Sequence, residues 1–381
     1  MSAIPPQPLD IAARERTARE WLLPWIDRHR PLHGSLAVDF GCGPGTYTKP
    51  IAEWADHVVA VDIDEQEVSV ARDRLADARN IALAAGSFEK LVRFVETNTP
   101  DGADVFLLAA TLEHMTIGER LAVLRLAHET LREDGVLVIW ETPNRLLWSD
   151  HHTTQDPFFH MLPEDLAVAW VDRVPRTEVA QATRVGGPMQ LWRWGRGASY
   201  HELELGFGAL EQRIVAGGYD PDTIELRSVD RDELALAAYM GRELPHVHPC
   251  FSRYWLDLII RRTPLSRPEV GWRPWPFATN DGYRVTVSRW GLVHFTHDDS
   301  WLGVRLDAPV RALLLGLEPA QQTSLGVWHG PWETKRWTAQ VDLGPAKGTV
   351  YKVLRLVEPA DELILRVDAP LALSFLATQA A

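Results

Sequence analysis

The chain has 381 residues, of which 46% are hydrophobic and 24% charged, the balance of a folded globular protein rather than a disordered one. Its 39 Lys and Arg residues stand against 52 Asp and Glu, a net charge of −13 that argues against a dedicated nucleic-acid or anionic-membrane binder. With only Cys42 and Cys250, it has neither a disulfide framework nor a Cys-rich zinc module, and its length implies two or three domains.

The first pattern is an amphipathic helix over 11–28, with Trp21, Leu22, Trp25 and Ile26 among charges and a break or kink expected at Pro24. Short branched runs at 36–40, 58–63, 105–109 and 136–140 read as buried strands. Helical stretches at 48–55, 66–77 and 117–132 separate them. This alternation predicts an α/β domain, a doubly wound and mostly parallel sheet of Rossmann-like type. A helix is expected over 206–216, then strands over 223–229 and 254–261. Residues 145–205 become an insertion rich in Trp and His, the composition of a lid or binding segment. Prolines 264, 268, 274 and 276 mark a linker over 264–278. Beyond it, 279–381 carries the alternating run 283–288 and strand-like runs at 311–317, 326–328, 339–343, 350–356 and 362–367, which predict an all-β sandwich-like domain. No apolar run approaches the roughly 20 residues of a membrane span, and the N-terminus lacks a basic start followed by an apolar core. The expectation is a cytoplasmic protein without membrane insertion.

The most informative stretch is Val38-Asp39-Phe40-Gly41-Cys42-Gly43-Pro44-Gly45-Thr46-Tyr47-Thr48. A buried strand enters a turn with glycines at alternate positions, where a ligand can approach the main chain without meeting a Cβ. No Gly-Lys-Ser/Thr ending follows, so a phosphate-cradling loop is disfavoured, and the spacing departs from Gly-x-Gly-x-x-Gly of dinucleotide sites. About twenty residues on, Val59-Ala60-Val61-Asp62-Ile63-Asp64 ends a second strand in a carboxylate able to accept both hydroxyls of a ribose. An acidic site suits an adenosine without phosphates whose other end is cationic.

These motifs resemble those of the class I S-adenosylmethionine-dependent methyltransferases, over roughly residues 11–263. The stretch Val105-Phe106-Leu107-Leu108-Ala109-Ala110-Thr111-Leu112-Glu113-His114-Met115 resembles the fourth-strand motif of the ubiquinone-biosynthesis-like subgroup, and Leu131-Arg132-Glu133-Asp134-Gly135-Val136-Leu137-Val138 resembles the turn into the fifth strand. The resemblance implies S-adenosylmethionine as cofactor, held by Asp39, Gly41, Cys42, Gly43, Gly45, Tyr47, Asp62, Ile63 and Ala109. Ser87 and Phe88 stand where the family contacts adenine, with Ser87 replacing the usual Asp. It further implies a small-molecule or peptide acceptor, most simply methylated at oxygen. Methylation at nitrogen or carbon, and a non-catalytic scaffold whose β module binds glycan or protein, are the alternatives.

A hydroxyl acceptor benefits from a base of near-neutral pKa, which points to histidine. His114, after the fourth strand, and His151 and His152, in the insertion, are the candidates; His160 and Asp156 are weaker. Glu113, His114, His151, His152 and Asp156 are metal-ligand types, but no His-Glu-x-x-His spacing joins them, so no metal is assigned. Trp148, Trp170, Trp192 and Trp194 are candidates for the wall of an acceptor pocket.

Overall fold

The computed structural model describes residues 10–150, 152–210, 212–227, 229–244, 246–265, 273–274, 281–283, 285–287, 293–296, 300–329, 336–347 and 349–380. The chain forms two compact units, Met1–Gly217 with Arg253–Pro268, and Gly218–Ser252 with Glu269–Ala381. The second unit therefore takes in 218–252, which the sequence pattern assigns to the first domain. Most of the expected linker 264–278 lies outside the described residues.

In the first unit the strands are β1 (Leu36–Phe40), β2 (His57–Asp62), β3 (Ile81–Ala85), β4 (Ala103–Ala109), β5 (Leu131–Pro143), β6 (Ile214–Gly217) and β7 (Trp255–Arg261). They lie in the order β3-β2-β1-β4-β5-β7-β6, parallel through β5, with β7 antiparallel to both neighbours. Every residue of β4 is buried, because helices cover both faces of such a sheet and an uninterrupted apolar run is what fits there. The chain winds outward from β1 to β3 and returns to β4. That reversal opens a crevice beyond the carboxyl ends of β1 and β4, where ligands of open α/β sheets bind.

The N-terminal helical stretch is unbroken. Helix Ile11–Thr17 runs through a π turn, Ala18–Leu22, into helix Leu23–His29, and the widened turn accommodates Pro24, which would otherwise interrupt it. Where a helix is expected over 206–216, helix Tyr200–Phe207 starts at a Ser199/Glu202 capping box and ends at Gly208, whose φ of 102° stops it before β6. The insertion, expected as a helical and loop lid, is largely helical. Its helices Glu164–Trp170, Thr177–Gly186 and Pro188–Arg193 enclose a core of their own, built on Phe159, Ala167, Val171, Val179 and Leu191.

In the second unit the expected strand over 223–229 is instead a helix, Pro221–Leu226. Thr223 and Ile224 favour a strand locally, but Asp220 at the N-cap and Pro221 in the first turn start a helix. Helix Arg231–Glu243 follows. The strands are β8 (Arg273–Pro274), β9 (Asp281–Tyr283), β10 (Val285–Val287), β11 (Val293–Phe295), β12 (Trp301–Glu318), β13 (Thr323–His329), β14 (Arg336–Leu343), β15 (Val350–Val367) and β16 (Leu371–Ala380). All pairings among them are antiparallel. The runs expected at 350–356 and 362–367 are one strand. Leu313, Leu315 and Leu317 of β12 enter the main core with Leu325, Val327 and Leu365, while the alternate Ala312 and Leu314 pack with Tyr219, Ile224 and Ala237. Period-two alternation thus serves two apolar layers, and the unit is a β domain with helices on one face. Of its tryptophans, Trp272, Trp275, Trp290 and Trp332 lie outside the described residues; Trp328 and Trp337 meet edge to face at 4.7 Å.

Candidate active site

The crevice begins at the turn after β1. Gly41, Gly43 and Gly45 have φ of 87°, 50° and 75°, all in the left-handed region that favours glycine. A Cβ on Gly41 would stand 2.3 Å from the Thr111 methyl, so the turn is packed directly against the loop after β4. A Cβ on Gly43 would meet nothing within 4 Å. That open backbone is the cradle a ligand would fill. The Gly41 and Cys42 amides both donate to the Val61 carbonyl, at 2.8 and 3.0 Å, and tie the turn to β2.

Asp62 ends β2 and completes the loop from the other side. Its Oδ2 accepts from the Gly43 amide at 2.7 Å and its Oδ1 from the Asp64 amide at 2.9 Å. Burial raises its carboxyl pKa, partly offset by these amides. Asp62, Ile63, Phe88, Leu91, Phe40 and Thr111 line a hollow of about 210 Å³. Phe88 packs on Phe40 with ring centroids 5.8 Å apart, which fixes one wall.

A second hollow, of about 550 Å³, shares Gly41, Ala110, His114 and Arg193 with the first, so the two adjoin. Cys42, Gly43, Tyr47 and Ala109 line it from the sheet side. Arg14 from the N-terminal helix pairs with Glu141 at 3.2 Å, and the Tyr47 hydroxyl donates to the same Glu141 oxygen at 2.8 Å. The insertion supplies His152, Arg176, Gln190, Arg193 and Trp194. Arg176 lies over the Trp194 ring at 4.9 Å and donates to the His152 carbonyl at 2.6 Å. Ala110 and Glu141, at the ends of β4 and β5, hold φ of 49° and 57°, a strained conformation for residues with a Cβ and one that clusters at functional sites.

His114 and His152 come together, with ring centroids 5.6 Å apart. The His114 Nδ1 is 2.8 Å from the Arg193 carbonyl, which can only accept, so Nδ1 carries a proton. Burial, reinforced by the nearby His114, lowers the His152 pKa to about 4, so its ring is neutral at physiological pH. The loop carrying His114 is clamped by buried Arg120, which donates to the Met115 and Glu113 carbonyls at 3.0 Å each and pairs with Glu202 at 3.0 Å.

Of the residues singled out from sequence, Gly41, Cys42, Gly43, Tyr47, Asp62, Ile63, Phe88, Ala109, His114 and His152 line one hollow or the other. Asp39 lines neither. It is buried and accepts from the Thr48 hydroxyl at 2.6 Å, and burial raises its pKa to about 7 despite that bond. Gly45 packs against Leu75, and Ser87 stands at the N-cap position of helix Phe88–Asn98 without a side-chain capping bond. His151 lies outside the described residues. His160 is a scaffold residue, buried between Asp150 at 2.8 Å and the Arg196 carbonyl at 2.9 Å. Of the four insertion tryptophans, Trp194 is the one that lines either of these two hollows; Trp170 binds Asp156 through its indole N–H at 2.9 Å. Arg14, Arg176, Gln190 and Arg193 carry no local motif, and neither they nor Thr111 and Glu141 stand out from sequence as site residues.

Residues 37–135 match the family model described as a methyltransferase domain. The first unit carries a class I S-adenosylmethionine-dependent methyltransferase domain. A ubiquinone biosynthesis O-methyltransferase of Stutzerimonas stutzeri is 31% identical over 121 residues, 32% of this chain and 50% of that protein. The counterpart from Nitrosospira multiformis is 30% identical over 124 residues, again 32% of this chain and 49% of that one. A cypemycin N-terminal methyltransferase from Streptomyces is 34% identical over 70 residues, 18% and 28% of the two chains. The chain spans about half the length of most of the curated relatives it matches, or less. Among solved structures, Haemonchus contortus phosphoethanolamine N-methyltransferase 1 covers 35% of this chain and 26% of its own, at 21% identity and a TM-score of 0.28. No helix among the described residues is long and apolar enough to cross a membrane.

Proposed function

We propose that the protein is a methyltransferase that modifies an oxygen of a small or medium-sized acceptor, using S-adenosylmethionine. The observation that carries the reading is the junction of the two hollows: a ribose-competent carboxylate and an open glycine backbone on one side, and a histidine pair on the other. Asp62 would take the ribose hydroxyls, Ile63 and Phe88 the adenine, and Gly41, Gly43 and Arg14 the amino-acid end. When bound, the cofactor supplies an activated methyl on a positively charged sulfur. The protein's share is alignment, which is worth up to about 7–11 kcal/mol in favourable cases.

Of the two histidines, His114 is assigned as the base: it lines both hollows, whereas the depressed pKa makes His152 a weak base. Choice of oxygen rests on this pair and on the names of the ubiquinone-type relatives. The cypemycin enzyme keeps nitrogen as the second reading. Incubation with methyl-labelled cofactor and panels of phenols, sugar alcohols and peptide amines tests it. Label in a hydroxyl product supports the proposal, and label in amines alone replaces it with N-methylation.

A further inference from the structure

We infer that Glu113, His114 and His152 form a binding site for one divalent first-row transition-metal cation at the acceptor end of the hollow. One ligand-type atom from each lies within 4.8 Å of the others. Glu113 is fully buried, and its Oε1 has no hydrogen-bond partner among the described residues; His114 Nε2 lies 3.7 Å away. A buried carboxylate oxygen left without a donor is costly, and a cation is a partner that removes this cost.

The surroundings are those of a ligand set. The Arg193 carbonyl holds His114 Nδ1–H and leaves Nε2 on the side of Glu113, the arrangement that the outer hydrogen bond gives a metal-bound histidine. Glu113 Oε2 accepts from the Thr142 hydroxyl at 3.4 Å, so its two oxygens have separate tasks. Gly195 lets the insertion close on the group: a Cβ there would stand 3.0 Å from His152 Cε1 and 3.1 Å from Glu113 Cγ. Two imidazoles and one carboxylate suit zinc, manganese, iron or cobalt rather than calcium. Three protein ligands leave coordination positions open, and His114 and His152 both border the hollow, so an acceptor oxygen is the natural occupant.

This rests on the methyltransferase reading and deepens it. The histidines would hold the acceptor oxygen through a cation instead of His114 acting on it as a free base. Sequence spacing does not announce the site because His152 arrives from the insertion, 38 positions after His114.

The test is a cobalt(II) titration of chelator-treated full-length protein, read by visible d–d absorption, with zinc as competitor and S-adenosylhomocysteine binding measured separately on the metal-free protein. The proposal predicts one cobalt per chain, displaced by zinc, and at least about tenfold weaker binding in both Glu113→Gln and His152→Ala. His33→Ala, an exposed histidine elsewhere, should leave it unchanged. Circular dichroism checks that the variants fold, and His152→Ala stands in should the buried Glu113→Gln fail. No cobalt spectrum from the wild type, or equal affinity in folded variants, overturns the site. S-adenosylhomocysteine binding in that case leaves the methyltransferase reading standing, whereas its absence removes that reading as well.

Discussion

Asp39 illustrates how a motif residue can serve the scaffold. Its carboxyl is buried beneath the glycine loop, hydrogen-bonded to Thr48 and raised to about 7 by burial, with Asp62 adding to the shift. An acid whose folded pKa exceeds its unfolded value stabilises the fold fully below the unfolded value, near 3.8, and progressively less as pH climbs toward 7. A shift of about three units corresponds to roughly 4 kcal/mol lost across that window. Asp39→Asn keeps the shape and the Thr48 bond but has no proton to lose. It should match the wild type near pH 4 and exceed it by roughly 3–4 kcal/mol at pH 8. Urea unfolding at several pH values, followed by tryptophan fluorescence, reads this directly. S-adenosylhomocysteine affinity should change less than about twofold, since Asp39 lines neither hollow. Parallel stability–pH curves for the two proteins, or an Asn variant weaker at pH 8, would refute the burial argument.

Gly41→Ala forces a Cβ to within 2.3 Å of Thr111 at a φ of 87°, and we expect a loss of about 2–4 kcal/mol and at least tenfold weaker cofactor binding, checked by thermal melts and calorimetry. Arg120→Met takes the buried guanidinium from Glu202 Oε1 and from three loop carbonyls, so destabilisation of about 3–5 kcal/mol should appear in urea titrations. Adding Glu202→Gln should recover part of it, because paired residues do not act additively. Tyr47→Phe removes one hydrogen bond to Glu141, while Arg14 keeps the other, and thermal melts should register a loss of about 1 kcal/mol.

The cofactor side was legible because its chemistry is local. Three glycines after β1 and one acid after β2 sit within a single βαβ unit, where sequence order and spatial order coincide. The acceptor side was only half legible. His114 follows a strand end, but Arg176, Gln190, Arg193 and Trp194 reach the hollow through an insertion whose helices pack on a private core that period-reading does not predict. Misread elements failed for nameable reasons. Thr223 and Ile224 looked like strand until Asp220-Pro221 set a helix start, and Pro24 looked like a break until a π turn made room for it. β3 was not singled out at all, since its Ala-rich run Ile81–Ala85 has little branched character and gains its pairing from β2.

Calorimetric titration of the full chain with S-adenosylhomocysteine probes the crevice most directly. One equivalent should bind saturably, and Asp62→Ala, which removes both the ribose acceptor and the Gly43 anchor, should weaken it by at least tenfold. An absence of binding, or an Asp62→Ala variant that binds as tightly as the wild type, would contradict a cofactor site in this crevice.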